Sequence, residues 1–342
     1  MNVLLTSVGK RNYLVEYFKS VVNPLGGMVY AINSHEYSSA LYCADKFHIA
    51  PIINSEQYIP FLLQYCRNNN IRLIVPLFDN DLPVLAKDIQ LFNEIGVFVV
   101  VPDWKFAQLA NDKYKTFEFL KQFAFKTVSN YLNIEAFRRE VGQNSASYPY
   151  IIKPRWGMAS QSVYEVNNEE ELVFFYNRAQ KEIKTSFLNF ESQQDPGNEV
   201  LIMERIPGDE YMLDVINDLH GNYLTTIINK KILRKGGETE VAETVEHAAL
   251  EELGKKIAAL SKHPLVMDVD VIVNENGLFI LEFNPRFSGG YPFSHRAGIN
   301  LPLFLVYSLL GKEVDIKTCL KPQIGTTSMK GYDMQTFYKP PR

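Results

Sequence analysis

Glu282, Asn284 and Arg286 stand at alternate positions in LFILEFNPRFSGGYP, residues 278–292. Side chains two apart on a strand point to one side, so a carboxylate, an amide and a guanidinium project together if strand geometry persists through Pro285. Three polar groups on one face need a shared partner. Carboxylate and amide oxygens are hard donors that suit Mg²⁺, which takes one or two protein carboxylates and completes its shell with phosphate oxygens and water. Asp270, in MDVDVIV, falls beside Glu282 if NENG makes the hairpin turn between the two runs. The competing reading is structural: an ion pair between Glu282 and Arg286, with Asn284 capping a turn.

A metal held this way implies a phosphate, and several residues could hold one. Lys153 ends YPYIIK and precedes PRWGMASQS, a loop of small and hydroxyl residues able to bring backbone amides close to phosphates. Lys113, in NDKYK, offers a second ammonium. In VLIMERIPGDEYMLDV an apolar strand delivers Glu204 to a segment whose backbone N–H and C=O could pair with an adenine edge, and Glu210 could accept from ribose hydroxyls. The alternative there is a hairpin with two exposed glutamates. TSVGKR, between a strand and a helix, could cradle a phosphate. It carries one glycine and neither the Walker pattern nor G-x-G-x-x-G, and a short turn needs a glycine anyway. Asp79, Asn80 and Asp81 read equally as a helix N-terminus and as a substrate contact, and His295 reads as a structural hydrogen-bonding residue, with substrate contact as its alternative.

The elements that must position these residues fall into two patterns. NVLLTSV, MVYAIN, IRLIVPL and VFVVVP are apolar runs alternating with the helical patterns RNYLVEYFKSV, YIPFLLQYCRNNN and DLPVLAKDIQLFNEI. That alternation predicts a parallel sheet with helices on both faces, whose strand ends offer a pocket for a small molecule. Asp103 is expected to cap a short helix after Pro102, and a domain boundary is placed there. Beyond it YPYIIKP, SVYEV, EVLIMERI, EYMLDVIND, NYLTTIINKKIL, VMDVDVIVNENG and LFILEFNP predict strands joined by turns or single helices, an α+β unit with much antiparallel sheet.

Composition sets the outer limits. With 342 residues, two or three packed units are expected, and 46% hydrophobic with 22% charged residues is the mix of a globular protein. A net charge of −4 gives no support for nucleic-acid or membrane-surface binding, so small molecules are the expected partners. Three cysteines without a C-x-x-C pair argue against a disulfide framework or zinc site. No stretch reads as a signal peptide or membrane span, so a cytoplasmic location is expected.

Together, Lys113, Lys153 with its small-residue loop, Glu204 to Glu210, Asp270 and LEFNPR resemble the ATP-grasp superfamily from about residue 103 to 315, and the first hundred residues resemble the Rossmann-like domain that precedes it. NPRFSGGYPFSHRAGINLP is similar to short relatives of the carbamoyl-phosphate synthase large subunit and to amino-acid ligases. The resemblance implies a Rossmann-like domain at 1–102 and ATP-grasp subdomains at 103–198 and 199–342. It also implies ATP and Mg²⁺ as cofactors. Lys113, Lys153 and Ser160 of the loop would contact phosphates, Glu204 with the backbone of Arg205 and Ile206 would hold adenine, and Glu210 the ribose. Asp270, Glu282 and Asn284 would bind Mg²⁺, Arg286 would stabilise reacting oxygens, and Lys231 would replace the phosphate-facing arginine of relatives. Two features depart from the pattern: the phosphate loop has a single glycine, and there is one ATP-grasp unit where carbamoyl-phosphate synthase large subunits carry two.

The implied activity is an ATP-dependent carboxylate–amine ligase working through an acyl phosphate, with an amino acid expected as one substrate and a homodimer as one open assembly. A phosphotransferase on the same fold and a nucleotide-binding regulator without ligase activity are the alternatives. A nicotinamide-dependent oxidoreductase is disfavoured by the missing dinucleotide fingerprint.

Overall fold

The computed structural model describes residues 1–142, 147–158, 161–331 and 334–336. Five strands build the first sheet: β1 (Asn2–Thr6), β2 (Val29–Asn33), β3 (Lys46–Ile49), β4 (Ile71–Pro76) and β5 (Phe98–Val99). They are parallel, in the order β3-β2-β1-β4-β5. The order reverses between β1 and β4, which opens a crevice at their carboxyl ends. The middle of β1, Val3 to Leu5, is apolar because both its faces are covered: Leu4 joins one core with Tyr58 and Leu62, while Val3 and Leu5 join another with Leu14 and Phe18.

The stretch DLPVLAKDIQLFNEI, expected as one helix, is two, Asp81–Lys87 and Ile89–Glu94, divided at Asp88. Strand β3 escapes sequence reading because all four of its residues are exposed on a sheet edge, leaving no buried face to impose a pattern. Asp103 caps the helix Trp104–Asn111 through the N–H groups of Lys105 and Phe106.

The second sheet, β6 (Asn130–Tyr131), β7 (Tyr150–Pro154), β8 (Tyr164–Val166) and β9 (Val200–Glu204), is antiparallel in the order β6-β9-β7-β8. The third is antiparallel and holds β10 (Asp209–Asn217), β11 (Tyr223–Lys235), β12 (Glu238–Val245), β13 (Val266–Asn274), β14 (Gly277–Asn284) and β15 (Thr327–Met329), in the order β14-β13-β10-β11-β12-β15. Strand β12, ETEVAETV, was not expected; it buries Thr239, Ala242 and Thr244, a spacing broken by irregular pairing with β11 and carried largely by threonines.

In β13 the alternation is clean. Met267, Val269 and Val271 enter a core with Leu250, Leu253 and Ile257 of the helix Ala248–Ser261, which turns Asp268 and Asp270 to the opposite face. The hairpin at 274–277 forms as expected and pairs Asp270 with Glu282 and Asp268 with Asn284. A register shift between Asp270 and Val271 places one extra residue in β14. Ile280 and Phe283, three apart, therefore share the core while Glu282 and Asn284 face away from it. The chain then returns to the first sheet: Phe287, Tyr291, Leu301, Phe304 and Leu305 pack in one core with Leu14, Val15 and Phe18 of the helix Asn12–Val22.

Candidate active site

The carboxyl ends of β1 and β4, the second sheet and the polar face of β10, β13 and β14 surround one cavity of about 1350 Å³. Lys113, Lys153, Glu204, Arg205, Ile206, Glu210, Lys231, Asp270, Glu282, Asn284 and Arg286 all line it. Ser160 lies outside the described residues.

Lys113 opens the helix Lys113–Gln122, whose N-cap Asp112 is buried and clasped by Arg155 through two 2.8 Å hydrogen bonds. Arg155 also bonds Asp195 at 2.6 Å, and its carbonyl accepts from the Lys113 N–H at 3.3 Å. This clamp fixes the helix start against the segment after β7. From there the Lys113 ammonium reaches the Gly157 carbonyl and lies 3.5 Å from Glu282. Gly157 is needed because an added Cβ would come within 2.9 Å of Pro154 Cβ.

Lys153, near the end of β7, is buried and makes no ion pair among the described residues; burial pulls it down to about 8. Lys231 is held 2.7 Å from Asp270 and 3.6 Å from Glu210. Arg234 grips Glu210 with both its oxygens, at 2.9 and 2.7 Å. Burial would raise Glu282, but Lys113, Lys153 and Lys231 outweigh it and hold the carboxyl down to about 2. Glu282 is thus an anion framed by three ammonium groups. Burial raises Asp270 despite Lys231, and raises Asp268 well above the carboxylate range with Asp270 and Asp214 adding to the effect.

At the β9–β10 junction, Glu204 accepts from the Ser129 hydroxyl at 2.8 Å and Arg205 pairs with Glu165 at 2.8 Å. The N–H groups of Arg205 and Ile206, between β9 and β10, have no hydrogen-bond partner among the described residues.

Arg286 does gather with Asn284, at 3.4 Å, but its main partner was not anticipated: Nε and Nη2 donate to the two oxygens of Asp79, at 2.7 and 2.6 Å. With a bond from Nη1 to the Phe287 carbonyl, one of its five N–H groups remains uncommitted. Asp79–Asp81 do stand at a helix N-terminus, since the helix Asp81–Lys87 starts there with Asp81 in its first turn, but the side chains are used otherwise than as a cap. Asn80 stands at the N-cap without a side-chain cap, Asp79 is committed to Arg286, and Asp81 is interior, accepting from Thr6 and Tyr58 at 2.7 and 2.9 Å. His295 is structural: it stacks on Tyr17 with ring centres 3.6 Å apart, meets the Tyr291 hydroxyl at 3.1 Å, and is pushed by burial down to about 4.

The metal expectation can be weighed on this geometry. Among the described residues there is no cluster of three His, Cys, Asp or Glu able to hold an ion. Asp270 and Glu282 are neighbours across one strand pair, with the Asn284 amide one row away beside Asp268. Two carboxylates and an amide make an incomplete shell of hard donors, the kind Mg²⁺ completes with phosphate oxygens and water. The residues fit.

Residues 3–100 match the family model described as the PylC-like N-terminal domain, and residues 197–331 the one described as ATP-grasp in the biosynthetic pathway with Ter operon. Residues 197–331 thus match an ATP-grasp model, behind an N-terminal PylC-like domain. It is 24% identical over 257 residues to the carbamoyl phosphate synthase large chain of Helicobacter pylori, a match covering 72% of this chain and 22% of that one. The corresponding protein of a Thermoanaerobacter species is 26% identical over 203 residues, covering 54% and 17%. The chain thus spans about a fifth of the length of such relatives.

Among solved structures, biotin carboxylase of Campylobacter jejuni in complex with β-γ-ATP aligns with a TM-score of 0.73 at 17% identity, covering 95% of this chain and 74% of that one. L-Amino acid ligase of Bacillus licheniformis aligns with a TM-score of 0.69 at 18% identity, covering 92% and 78%. At such identities these establish the shared ATP-grasp fold. No helix among the described residues is long and apolar enough to cross a membrane.

Proposed function

We propose that this protein with an ATP-grasp fold is an ATP- and Mg²⁺-dependent ligase that joins a small-molecule carboxylate to an amine through an acyl phosphate, with an amino acid as one substrate. The observation that carries the reading is the convergence of Lys113, Lys153 and Lys231 on the anionic Glu282 inside a cavity larger than the 300–1,000 Å³ usual for one small ligand. There is room for a nucleotide and a second reactant. Three cations and a free run of backbone N–H groups suit a triphosphate and a purine edge.

In this reaction the γ-phosphoryl of ATP passes to a carboxylate oxygen and ADP leaves. The amine then attacks the carbonyl carbon, expels phosphate and gives up a proton to form the amide. Lys113 and Lys153 hold phosphate oxygens and stabilise charge as it moves, Glu204 with the Arg205 and Ile206 backbone orients adenine, and Glu210 orients ribose. Asp270, Glu282 and Asn284 would hold Mg²⁺, which when bound neutralises charge on the transferring phosphoryl group. Lys231 offsets part of the burial that raises Asp270, and the free N–H of Arg286 is available to the reacting oxygens. A serine nucleophile is not required.

The division into 1–102, 103–198 and 199–342 goes with this reading, its last part returning to support the first. The test is an ADP-release screen of the purified chain over amino acids as acids and amines, followed by mass spectrometry of products. ADP and a new amide mass in the same reaction support a ligase. A phosphorylated product with no amide would identify a phosphotransferase instead.

A further inference from the structure

The part of the cavity formed by the first sheet holds polar groups that the proposed nucleotide and metal residues leave unused. Arg11 stands between β1 and the helix Asn12–Val22 and lines the cavity. Its guanidinium has no hydrogen bond or ion pair among the described residues. Burial lowers its pKa, and the nearby Arg286 guanidinium lowers it further, against the weaker pull of Asp79. Asp79 already gives both oxygens to Arg286. Arg11 is thus a partly buried cation lining the cavity with no carboxylate in hydrogen-bond or ion-pair contact among the described residues; Asp79 and Glu238 act on it only from a distance.

Further features converge on the same place. Ser38 is 2% exposed, lines the cavity, and its hydroxyl has no partner. It adjoins the loop, since Ala40 N–H bonds the Gly9 carbonyl and the Ser39 hydroxyl bonds Asn12. The helix Asn12–Val22 begins without a side-chain cap, and the N–H groups of Lys10, Asn12 and Tyr13 are unpartnered among the described residues. Ser7 and Gly9 both take positive φ, 52° and 54°, which curls the backbone into a concave turn. The turn is built in place: buried Asp81 anchors Thr6 and Tyr58 behind it, and Asn33 accepts the Gly9 N–H at 3.3 Å.

We propose that the Ser7–Arg11 loop, with Arg11 and Ser38, is a seat for an anionic group of the organic substrate that does not itself react. This rests on the ligase reading and narrows it: one reactant carries, besides its reacting function, a carboxylate or a phosphate ester. Arg11 supplies the charge, the Ser38 hydroxyl and free loop N–H groups supply hydrogen bonds, and Asp79 keeps Arg286 from competing for the same anion.

The test is titration calorimetry of inorganic phosphate, and separately of acetate, into the full chain saturated with a non-hydrolysable ATP analogue, so that nucleotide phosphate positions are filled. Wild type is expected to bind one equivalent of the preferred anion, phosphate if the substrate is an ester and acetate if it is a carboxylate. Arg11→Gln should weaken that binding by about tenfold or more, the loss of a charged hydrogen bond, with Arg11→Lys intermediate and Lys181→Ala, at an exposed position of the helix Glu169–Lys184, unchanged. Arg11→Lys retains the charge and guards against a folding defect in Arg11→Gln. No binding of either anion by wild type, equal binding by Arg11→Gln, or an equal loss in Lys181→Ala would each overturn the seat. Binding of the ATP analogue is measured first. Its failure would count against the ligase reading, and the anion titrations are then read on the nucleotide-free chain.

Discussion

Glu282 carries the most at the scale of single residues, because its charge is maintained against burial by three ammonium groups. Glu282→Gln should leave the chain folded by circular dichroism and reduce ADP release by about a hundredfold or more, as for other losses of transition-state charge stabilisation. Near-normal turnover in a folded variant would remove Glu282 from the site. Lys153 gives a pH prediction. Burial lowers it from the ordinary 10.5 to about 8, so it loses its charge as pH rises through 8. ATP affinity should fall above that pH in wild type and stay level in Lys153→Arg, measured by calorimetry. Between about 8 and 10.5 the unfolded chain binds the proton that the folded one has released, so this residue makes folding more favourable with rising pH while ATP binding weakens. Identical pH profiles for the two proteins would refute the assignment. The Asp270 and Glu282 pairing was legible because alternation and a turn signal fix a hairpin register. Arg11, Ser38 and the Asp79 partner of Arg286 were not: they come together only when segments far apart in the chain meet, and a lone arginine or serine after a strand carries no pattern.

Elements were legible where burial imposes a period. The long apolar runs and the helix Ala248–Ser261 could be read directly, whereas β3 has no buried residue and β12 buries threonines in place of aliphatic side chains. One helix–strand contact yields a test with an inverted sign. Gly254 sits in a helix interior, where alanine would normally gain about 1 kcal/mol. Here its Cβ would meet Thr226 Oγ1 at 2.2 Å, so Gly254→Ala should destabilise by about 1–3 kcal/mol in urea unfolding, and Thr226→Ala should recover part of the loss. A stabilised Gly254→Ala would mean that the helix stands farther from β11. The end of β4 is joined to the end of β14 by the Asp79–Arg286 pair, whose side chains are 12% and 9% exposed. Asp79→Ala leaves a buried guanidinium uncompensated and should cost about 3–5 kcal/mol, with Asp79→Leu/Arg286→Met recovering stability but not turnover. Equal stability of Asp79→Ala and wild type by denaturant titration would show that the pair does not hold the two strand ends together.

Across the whole molecule, the two faces of the first sheet are closed from different parts of the chain. One core draws on residues 4–107, while the other includes Phe287, Tyr291, Phe304 and Leu320. Phe304→Ala should therefore cost about 3–5 kcal/mol, and hydrogen exchange should show lost protection in β1 and β2. Protection lost only around residues 301–309 would separate the two ends of the chain. This dependence was hidden in the sequence, where the apolar residues after Pro285 read as a simple continuation of the third sheet's unit. It also sets an order of events during synthesis. Translation adds about 5–20 residues per second, so the interval between completion of the near core and emergence of Leu320 is on the order of ten seconds or more. For that interval one side of a finished parallel sheet is bare and adhesive on the ribosome, and nascent chains arrested near residue 110 should be captured by chaperones that released full-length protein no longer engages.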